Sequence, residues 1–181
     1  MKVLKITLIC LIIILGLYLL FFDKLKPNSE IGQFKREDCS FYYKNKKYYL
    51  KTDAADLLEA LGDDYQLHAT PSCVYEGEDK EFRYKGVSIF TFPRGEETDI
   101  IDEIFVTGKK YKTIRGISVG DSFQEVVEKY GQNYHREQTI VTYTKDFADY
   151  SKPRLLFVLN KEDIVESISY YSASNMGSVG E

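Results

Sequence analysis

The sequence predicts an α+β fold in which an N-terminal transmembrane helix precedes two tandem units, each with one helix and a short antiparallel sheet. A long uncharged apolar run opens the chain of 181 residues. One helical pattern occurs twice at a fixed separation, and strand-like segments follow both copies. The predicted segments are a membrane anchor (1–26), a spacer (27–40), the first unit (41–110), the second unit (111–173) and a tail (174–181).

The apolar run occupies residues 6–22. As a helix it would be roughly 26 Å long at about 1.5 Å per residue, close to the ~30 Å hydrocarbon core of a bilayer. Its last residues are bulky, without the small residues of a signal-peptidase site. We therefore predict an uncleaved signal anchor that crosses the cell membrane once. A cleaved secretory signal, and a lipoprotein signal with Cys10 as the lipidated residue, are the alternatives.

Charged residues around the anchor indicate its orientation. Lys2 and Lys5 favour a cytoplasmic N-terminus, although Lys24 and Lys26 weaken that preference. This orientation predicts a C-terminal domain outside the cytoplasm. The residues after 26 carry 20 basic and 27 acidic side chains, a net charge of −7. Because an acidic domain repels phosphate groups, nucleic acid is not an expected partner.

The first unit begins with two aromatic segments that flank a polar turn, which predicts a β-hairpin. Thr52 and Asp53 are suitable N-caps for the helix that follows, and Gly62 is suited to end it. After the helix come segments rich in β-branched and aromatic residues. The predicted strands of this unit are 41–43, 48–50, 82–85, 87–92 and 100–107.

The second unit repeats this order. Ser122 and Glu125 have the spacing of a capping box, and Gly131 is suited to end the second helix. The predicted strands are 112–119, 139–144, 155–159 and 164–171. The repeat itself is a set of residue pairs that are each 69 positions apart, in which Ala54, Leu57, Leu58, Leu61 and Gly62 recur as Phe123, Val126, Val127, Tyr130 and Gly131.

The offset between the units changes along the chain. It falls to about 59 where Tyr84 aligns with Tyr143 and rises to 64 at the last strands. The first unit is therefore predicted to carry an inserted loop at residues 68–79, and the second a smaller insertion at 146–153. Insertions that interrupt a repeat tend to lie on the surface and often carry function.

Two runs in these units resemble a known domain type. Residues 71–80 and 116–131 resemble an uncharacterised extracytoplasmic domain, lipoprotein or membrane-anchored, of low-GC Gram-positive bacteria. The tandem architecture is similar to the β-lactamase-inhibitor-protein-like fold, and small outer-membrane lipoproteins of the barrel-assembly machinery contain a similar unit. The resemblance implies a fold but no catalytic residues, and fold analogy does not transfer inhibition of an enzyme.

The inserted loop holds the most concentrated functional groups of the chain. The predicted binding loop consists of Cys73, Tyr75, Glu76, Glu78, Asp79 and Lys80. Its carboxylates could bind calcium, but their spacing differs from that of a calcium loop. Cys73 with His68 could form a nucleophile and base, but no third group orients such a pair. We therefore predict no metal site, no cofactor and no enzyme activity.

Two further features are candidates for sites. Cys39 and Cys73 could form a disulfide outside the cytoplasm, or remain as two separate thiols. The hairpin tyrosines, of which strand alternation exposes some, could form a binding surface or serve mainly in the core. These tyrosines are Tyr42, Tyr43, Tyr48 and Tyr49.

Taken together, these features predict a membrane-tethered, extracytoplasmic, non-catalytic domain. We expect it to bind an envelope protein or another component of the cell envelope through the inserted loop and the tyrosine-rich hairpin. The alternative is a sensor or accessory domain that binds a small ligand or calcium. The sequence contains no motif that names a reaction.

Overall fold

An antiparallel sheet of eight strands dominates the described part of this computed structural model, which comprises residues 33–95 and 97–172. A separate two-stranded hairpin precedes the sheet, and one short helix precedes each half of it. The elements are a 3₁₀ helix (Arg36–Cys39), β1 (Ser40–Tyr43), β2 (Lys46–Tyr49), α1 (Ala55–Leu61), β3 (Gln66–Pro71), β4 (Glu78–Tyr84), β5 (Val87–Arg94), β6 (Thr98–Val106), α2 (Phe123–Tyr130), β7 (His135–Glu137), β8 (Ile140–Thr144), β9 (Arg154–Leu159) and β10 (Val165–Tyr171).

The predicted fold class, α+β with an N-terminal transmembrane helix, is wrong. The described chain is mostly β-sheet, and its two α-helices have 7 and 8 residues. Within those residues, no helix has the length and apolar character needed to cross a membrane, so the transmembrane and signal-anchor assignments have no support. The proposed anchor with Cys10, residues 27–32 of the spacer, and the tail lie outside the described residues.

The strands of the large sheet follow the order β3-β4-β5-β6-β10-β9-β8-β7, with antiparallel pairing throughout. Each half is therefore a four-stranded meander, and the last strands of the halves meet at the centre. There Phe105 lies opposite Ser169, with Ile104 opposite Tyr170 and Val106 opposite Ile168. Residues 104–106 correspond to 168–170 at an offset of 64, so this register is symmetric about the Phe105–Ser169 pair.

The same backbone hydrogen bonds attach each helix to the last strand of its own half. The segment before each helix runs beside the first part of that strand, where the central partner strand does not reach. Donors and acceptors correspond at offsets of 69 for the segments and 64 for the strands. The bonds are Lys51 N–H to Ile101 O (2.7 Å) and Gly120 N–H to Val165 O (2.8 Å), Ile101 N–H to Thr52 O and Val165 N–H to Asp121 O (both 2.9 Å), and Ala54 N–H to Asp99 O and Phe123 N–H to Asp163 O (both 2.8 Å).

The helix ends show how the sequence specifies these two short helices. Ser122 forms a capping box with Glu125, because each side chain accepts a hydrogen bond from the other residue's backbone N–H. Asp53 accepts the backbone N–H of Ala55 at 2.8 Å at the start of α1. Gly62 and Gly131 follow the helices with φ of 91° and 80°, conformations that favour glycine.

The core lies on one face of the large sheet. Strand residues such as Ile89, Ile104 and Phe157 pack there with Leu57 of α1 and Val126 of α2. Side chains that alternate with these point to the opposite face, which we call the open face. One row of directly paired residues crosses all eight strands of the open face: Gln66, Arg83, Ser88, Phe105, Ser169, Leu156, Thr142 and His135.

A buried ion pair fastens the N-terminal end of the described chain to the second half. The guanidinium of Arg115 binds both carboxylate oxygens of Asp38 at 2.6 Å. It also donates to the carbonyl of Lys129 at 2.9 Å, near the end of α2, and lies 4.8 Å from the ring centre of Tyr130. Asp38 is 3% exposed, so its charge depends on this partner.

Two predicted elements differ from the structure. Residues 112–119 form a tight loop with one isolated bridge between Lys112 and Ser118, because Gly116 turns the chain at a φ of 89°. Half of the predicted loop at 68–79 is strand, since β3 and β4 form a hairpin whose turn is residues 72–77. The outer strands β3 and β7 were not predicted.

Candidate functional site

The turn between β3 and β4 folds onto the neighbouring β5–β6 hairpin. The Ser72 hydroxyl accepts the backbone N–H of Tyr75 at 3.2 Å, and the Ser72 N–H donates to the carbonyl of Gly77 at 3.0 Å. Gly77 has a φ of 118°, and a Cβ built on it would lie 3.0 Å from Cβ of Pro93. Glycine therefore lets the turn approach the hairpin this closely.

An aromatic pair joins the turn to the open face of the sheet. The rings of Tyr75 and Phe92 are stacked, with centroids 4.7 Å apart and an interplanar angle of 18°. Nζ of Lys51 lies 4.7 Å from the Phe92 ring centroid, within the range of a cation–π contact. Phe92 is buried, whereas Tyr75 is 38% exposed. Tyr75 therefore lies partly exposed at the surface, with Phe92 beneath it.

A cleft of about 850 Å³ lies between the turn and the hairpin. Four of the six predicted loop residues line it, and Cys73 and Asp79 do not. Its lining comprises Lys51, Tyr75, Glu76, Gly77, Glu78, Lys80, Phe92, Pro93, Arg94, Gly95, Glu97, Thr98 and Asp99.

Some charged side chains of this cleft form ion pairs and others do not. Lys80 pairs with Asp99 at 3.0 Å, and Lys51 pairs with Asp102. The exposed carboxylates at the rim accept no hydrogen bond from any described residue. The exposed Arg94 forms no ion pair with a residue in 33–95 or 97–172. Among the described residues that line the cleft, three acidic side chains and one basic side chain are therefore unpaired. These acids are Glu76, Glu78 and Glu97.

The predicted disulfide is absent, because Cys39 and Cys73 are both free thiols. Cys39 is buried with the 3₁₀ helix against the core, and burial raises the pKa of its thiol, with the Asp38 carboxylate adding to the effect. Cys73 is exposed in the turn. In this structure the two cysteines are therefore separate thiols.

The hairpin tyrosines do not form one exposed surface. Tyr48 is buried, and Tyr43 and Tyr49 are half-buried. Tyr42 is exposed and donates its hydroxyl to Oδ1 of Asn45 at 3.1 Å. Phe41, which directly precedes Tyr42 in the chain, packs on Tyr111 and Tyr170 of the core. The hairpin therefore uses its aromatic residues mainly to cover the core.

One carboxylate stands out on the open face. Glu103 lies opposite Phe90 and accepts the hydroxyl of Ser169 at 2.6 Å. Burial, with the nearby Asp102 as a second cause, raises the pKa of Glu103. A half-buried acid with a raised pKa is a feature of binding sites as well as of structural networks. Glu103 therefore gives the open face one polar group that a partner could contact.

The other proposed chemistry has no geometric support in the described residues. His68 lies in β3 and Cys73 in the following turn, and neither side chain hydrogen-bonds the other. Across residues 33–95 and 97–172, no group of three or more His, Cys, Asp or Glu side chains is placed to hold a metal ion.

Sequence reasoning found the turn but missed Lys51, Glu97 and Asp99 of the cleft. Lys51 comes from the segment before α1, and Glu97 and Asp99 come from the β5–β6 hairpin. Nothing in the sequence shows that β3 and β4 bring the turn to this hairpin. Comparison with protein-family models, with curated proteins and with solved structures finds no match to this chain.

Proposed function

We propose that this protein is a non-catalytic domain that binds a basic segment of a partner protein in the cleft between the β3–β4 turn and the β5–β6 hairpin. One observation carries the proposal: the stacked Tyr75–Phe92 pair lies in a cleft whose three rim carboxylates have no cationic partner among the described residues. Aromatic faces and carboxylates together favour Lys or Arg side chains.

The charge balance of the cleft determines the sign of its ligand. Lys51 and Lys80 are already paired with aspartates, so they do not attract an anion. The unpaired acids outnumber Arg94, and the surrounding domain is acidic. An anionic or nucleic-acid ligand would therefore be repelled, whereas a cationic segment would be attracted.

The turn is suited to binding because its shape is set before a ligand arrives. The hydrogen bonds of Ser72 close it, and Gly77 packs on Pro93. Less conformational entropy is then lost on binding than with a flexible loop. Tyr75 contributes a rigid ring with few rotatable bonds, as hot-spot residues at protein interfaces do.

Binding of a dye-labelled pentalysine peptide to the full chain, measured by fluorescence anisotropy, tests the proposal. We expect saturable binding that weakens with salt. Exchanging the three rim acids by Glu76→Gln, Glu78→Gln and Glu97→Gln is expected to weaken it by about tenfold, since exposed ion pairs contribute about 0.2–1 kcal/mol each.

A matched control separates the cleft from net charge. The triple exchange Glu137→Gln, Glu162→Gln and Glu166→Gln removes the same charge at exposed positions of the second half. We expect it to change the affinity less than twofold. Equal losses in both triple variants would show nonspecific attraction and contradict the proposal.

The ring of Tyr75 supplies a second readout. Tyr75→Ala is expected to weaken pentalysine binding by about two- to fivefold, because an exposed cation–π contact contributes about 0.5–1 kcal/mol. Tyr75→Phe keeps the ring and should bind like the wild type. Equal affinity of the alanine and phenylalanine variants would exclude the aromatic contact.

A small cationic ligand is the second candidate, because the volume of the cleft lies in the range of small-molecule sites. Spermine distinguishes the two functions. A peptide-binding cleft should bind pentalysine more tightly than spermine, since a peptide also contacts the turn through its backbone. Tighter binding of spermine would favour the small ligand.

A further inference from the structure

The two edge strands of the large sheet differ in length and chemistry. β3 has six residues without a charged side chain, all of them exposed, and Leu67 is 51% exposed. β7 has three residues and includes Arg136, whose guanidinium donates to Asp163 and to the Gln138 carbonyl. The equivalent edges of the two halves are therefore not equally protected.

Proteins protect edge strands because an unpaired row of N–H and C=O groups can pair with another chain. Short length, charge and covering segments are the usual means. β7 is short and charged, and the His135 ring lies near Phe147 of the loop between β8 and β9. β3 has neither the short length nor the charge of β7, and no other described strand pairs with its outer side. Pro71 at its end is the one residue of this strand that lacks a backbone N–H. This edge is open to strand addition.

We propose that β3 pairs antiparallel with β3 of a second copy, which joins two sheets into one continuous sheet with twofold symmetry. A register centred on His68 matches the chemistry of both faces. Leu67 and Ala69 point to the core side, because they pair with Phe82 and Lys80 of β4, and in this register Leu67 lies opposite Ala69 of the second copy. Gln66 and Thr70 point to the open side and also lie opposite each other.

Charge favours a second copy over an acidic or basic partner strand at this edge. β3 contains no Asp, Glu, Lys or Arg, so its self-pairing places none of these charges directly opposite each other. The two His68 side chains lie opposite each other at the centre of this register. The acidic turns of the two copies lie at opposite ends of the strand pair. Six residues span about 20 Å, well beyond the ~8 Å screening length at physiological salt, so repulsion between the turns is small.

The size of the contact sets the expected strength. A pair of six-residue strands buries less area than the ~1,200 Å² of a stable interface, so we expect a dimer that forms at micromolar concentrations. A twofold axis perpendicular to the sheet places both open faces on the same side. The clefts then remain accessible, and dimer formation does not depend on the proposed ligand.

Sedimentation velocity of the full chain over about 1–300 μM tests this pairing, with two double variants as the main comparison. Leu67→Lys with Ala69→Lys places lysines opposite each other twice and should weaken dimerisation at least tenfold. Leu67→Lys with Ala69→Glu places opposite charges together and should dimerise like the wild type. Both pairs of changes lie at exposed edge positions, and thermal unfolding checks that both variants fold.

The comparison also detects association through any other segment, because both double variants would then associate to the same extent. Equal dimerisation of the Lys/Lys and Lys/Glu variants would overturn the proposal. A wild-type chain that stays monomeric over the whole concentration range would also overturn it, and would leave this edge to a strand of another protein.

Discussion

The two halves of the large sheet share one framework but differ in their outer hairpins. Residues 51–54 and 120–123 make the same backbone bonds to the last strand of each half. The outer hairpin of the first half has strands of six and seven residues and a six-residue turn, whereas β7 and β8 have three and five residues. The framework therefore holds each half together, and the long hairpin adds the cleft and the exposed edge in one half alone.

The comparison of ion pairs at equivalent positions is expected to show the largest effect. Arg115 corresponds to Lys46 at the offset of 69, but Arg115 pairs with buried Asp38 and Lys46 pairs with exposed Asp56. Arg115→Ala removes the guanidinium from the buried Asp38 carboxylate, which keeps the hydrogen bond from the Lys35 N–H at 2.7 Å. The change should lower the free energy of unfolding by about 3–5 kcal/mol.

Lys46→Ala serves as the matched variant, and urea unfolding of both proteins provides the measurement. We expect no measurable change for Lys46→Ala, because solvent screens an exposed pair. Similar losses in the two variants would show that burial does not distinguish these positions.

Gly77→Ala is expected to show the next largest effect. The methyl group would lie against Pro93 and the backbone would be strained at a φ of 118°, so we expect a loss of about 1–3 kcal/mol and weaker pentalysine binding. Gly95→Ala is the control, because Gly95 has a φ of 72° but open space around the added Cβ. If Gly95→Ala reduces pentalysine binding as much, close packing of the turn is not important for the cleft.

The helix ends test whether the halves are equivalent. Gly62→Ala and Gly131→Ala each force a non-glycine residue into a positive φ after a helix, and each should cost about 1 kcal/mol. Thermal unfolding of the two variants should give similar decreases in melting temperature. A loss confined to one variant would show that the matching hydrogen bonds do not confer matching stability.

A pH-dependent effect at Glu103 is expected to be the smallest. Ser167 occupies the equivalent position of β10, so the second half has no such acid. Burial raises the folded-state pKa of Glu103 above its ordinary value of 4.5. Its stabilising contribution is therefore complete below pH 4.5 and is lost as the pH rises through the raised pKa.

Glu103→Gln removes this titration while its amide oxygen can still accept the Ser169 hydroxyl. We expect the variant to be at least as stable as the wild type at pH 7, with a smaller change in unfolding free energy between pH 4 and 7. Urea unfolding across that range provides the measurement, with exposed Glu166→Gln as the control. An unchanged pH profile for Glu103→Gln would rule out this acid as the cause.

The sequence predicts the inner strands better than the outer ones for a physical reason. β5, β6, β9 and β10 bury alternate or consecutive apolar side chains, which leave a pattern in the sequence. All residues of β3 and β7 are exposed, so they leave no such pattern. β3 and β7 also pair with their neighbouring strands through backbone hydrogen bonds, which do not depend on which side chains the strands carry.

The helices explain why the predicted class was wrong. The repeated apolar residues and the caps mark where each helix lies, but two-turn helices contribute little beside eight paired strands. The cleft could be predicted only in part. Tyr75, Glu76 and Glu78 could be grouped because they are close to one another in the sequence. Lys51 and Glu97 reach it through the sheet register, for which one sequence contains no signal.

Mapping backbone amide shifts while pentalysine is added to the full chain tests the difference between the halves most directly. We expect changes concentrated at residues 75–80 and 92–99, with residues 135–144 of the shorter hairpin unaffected. Shifts of similar size in both hairpins, or strongest in the second, would contradict it.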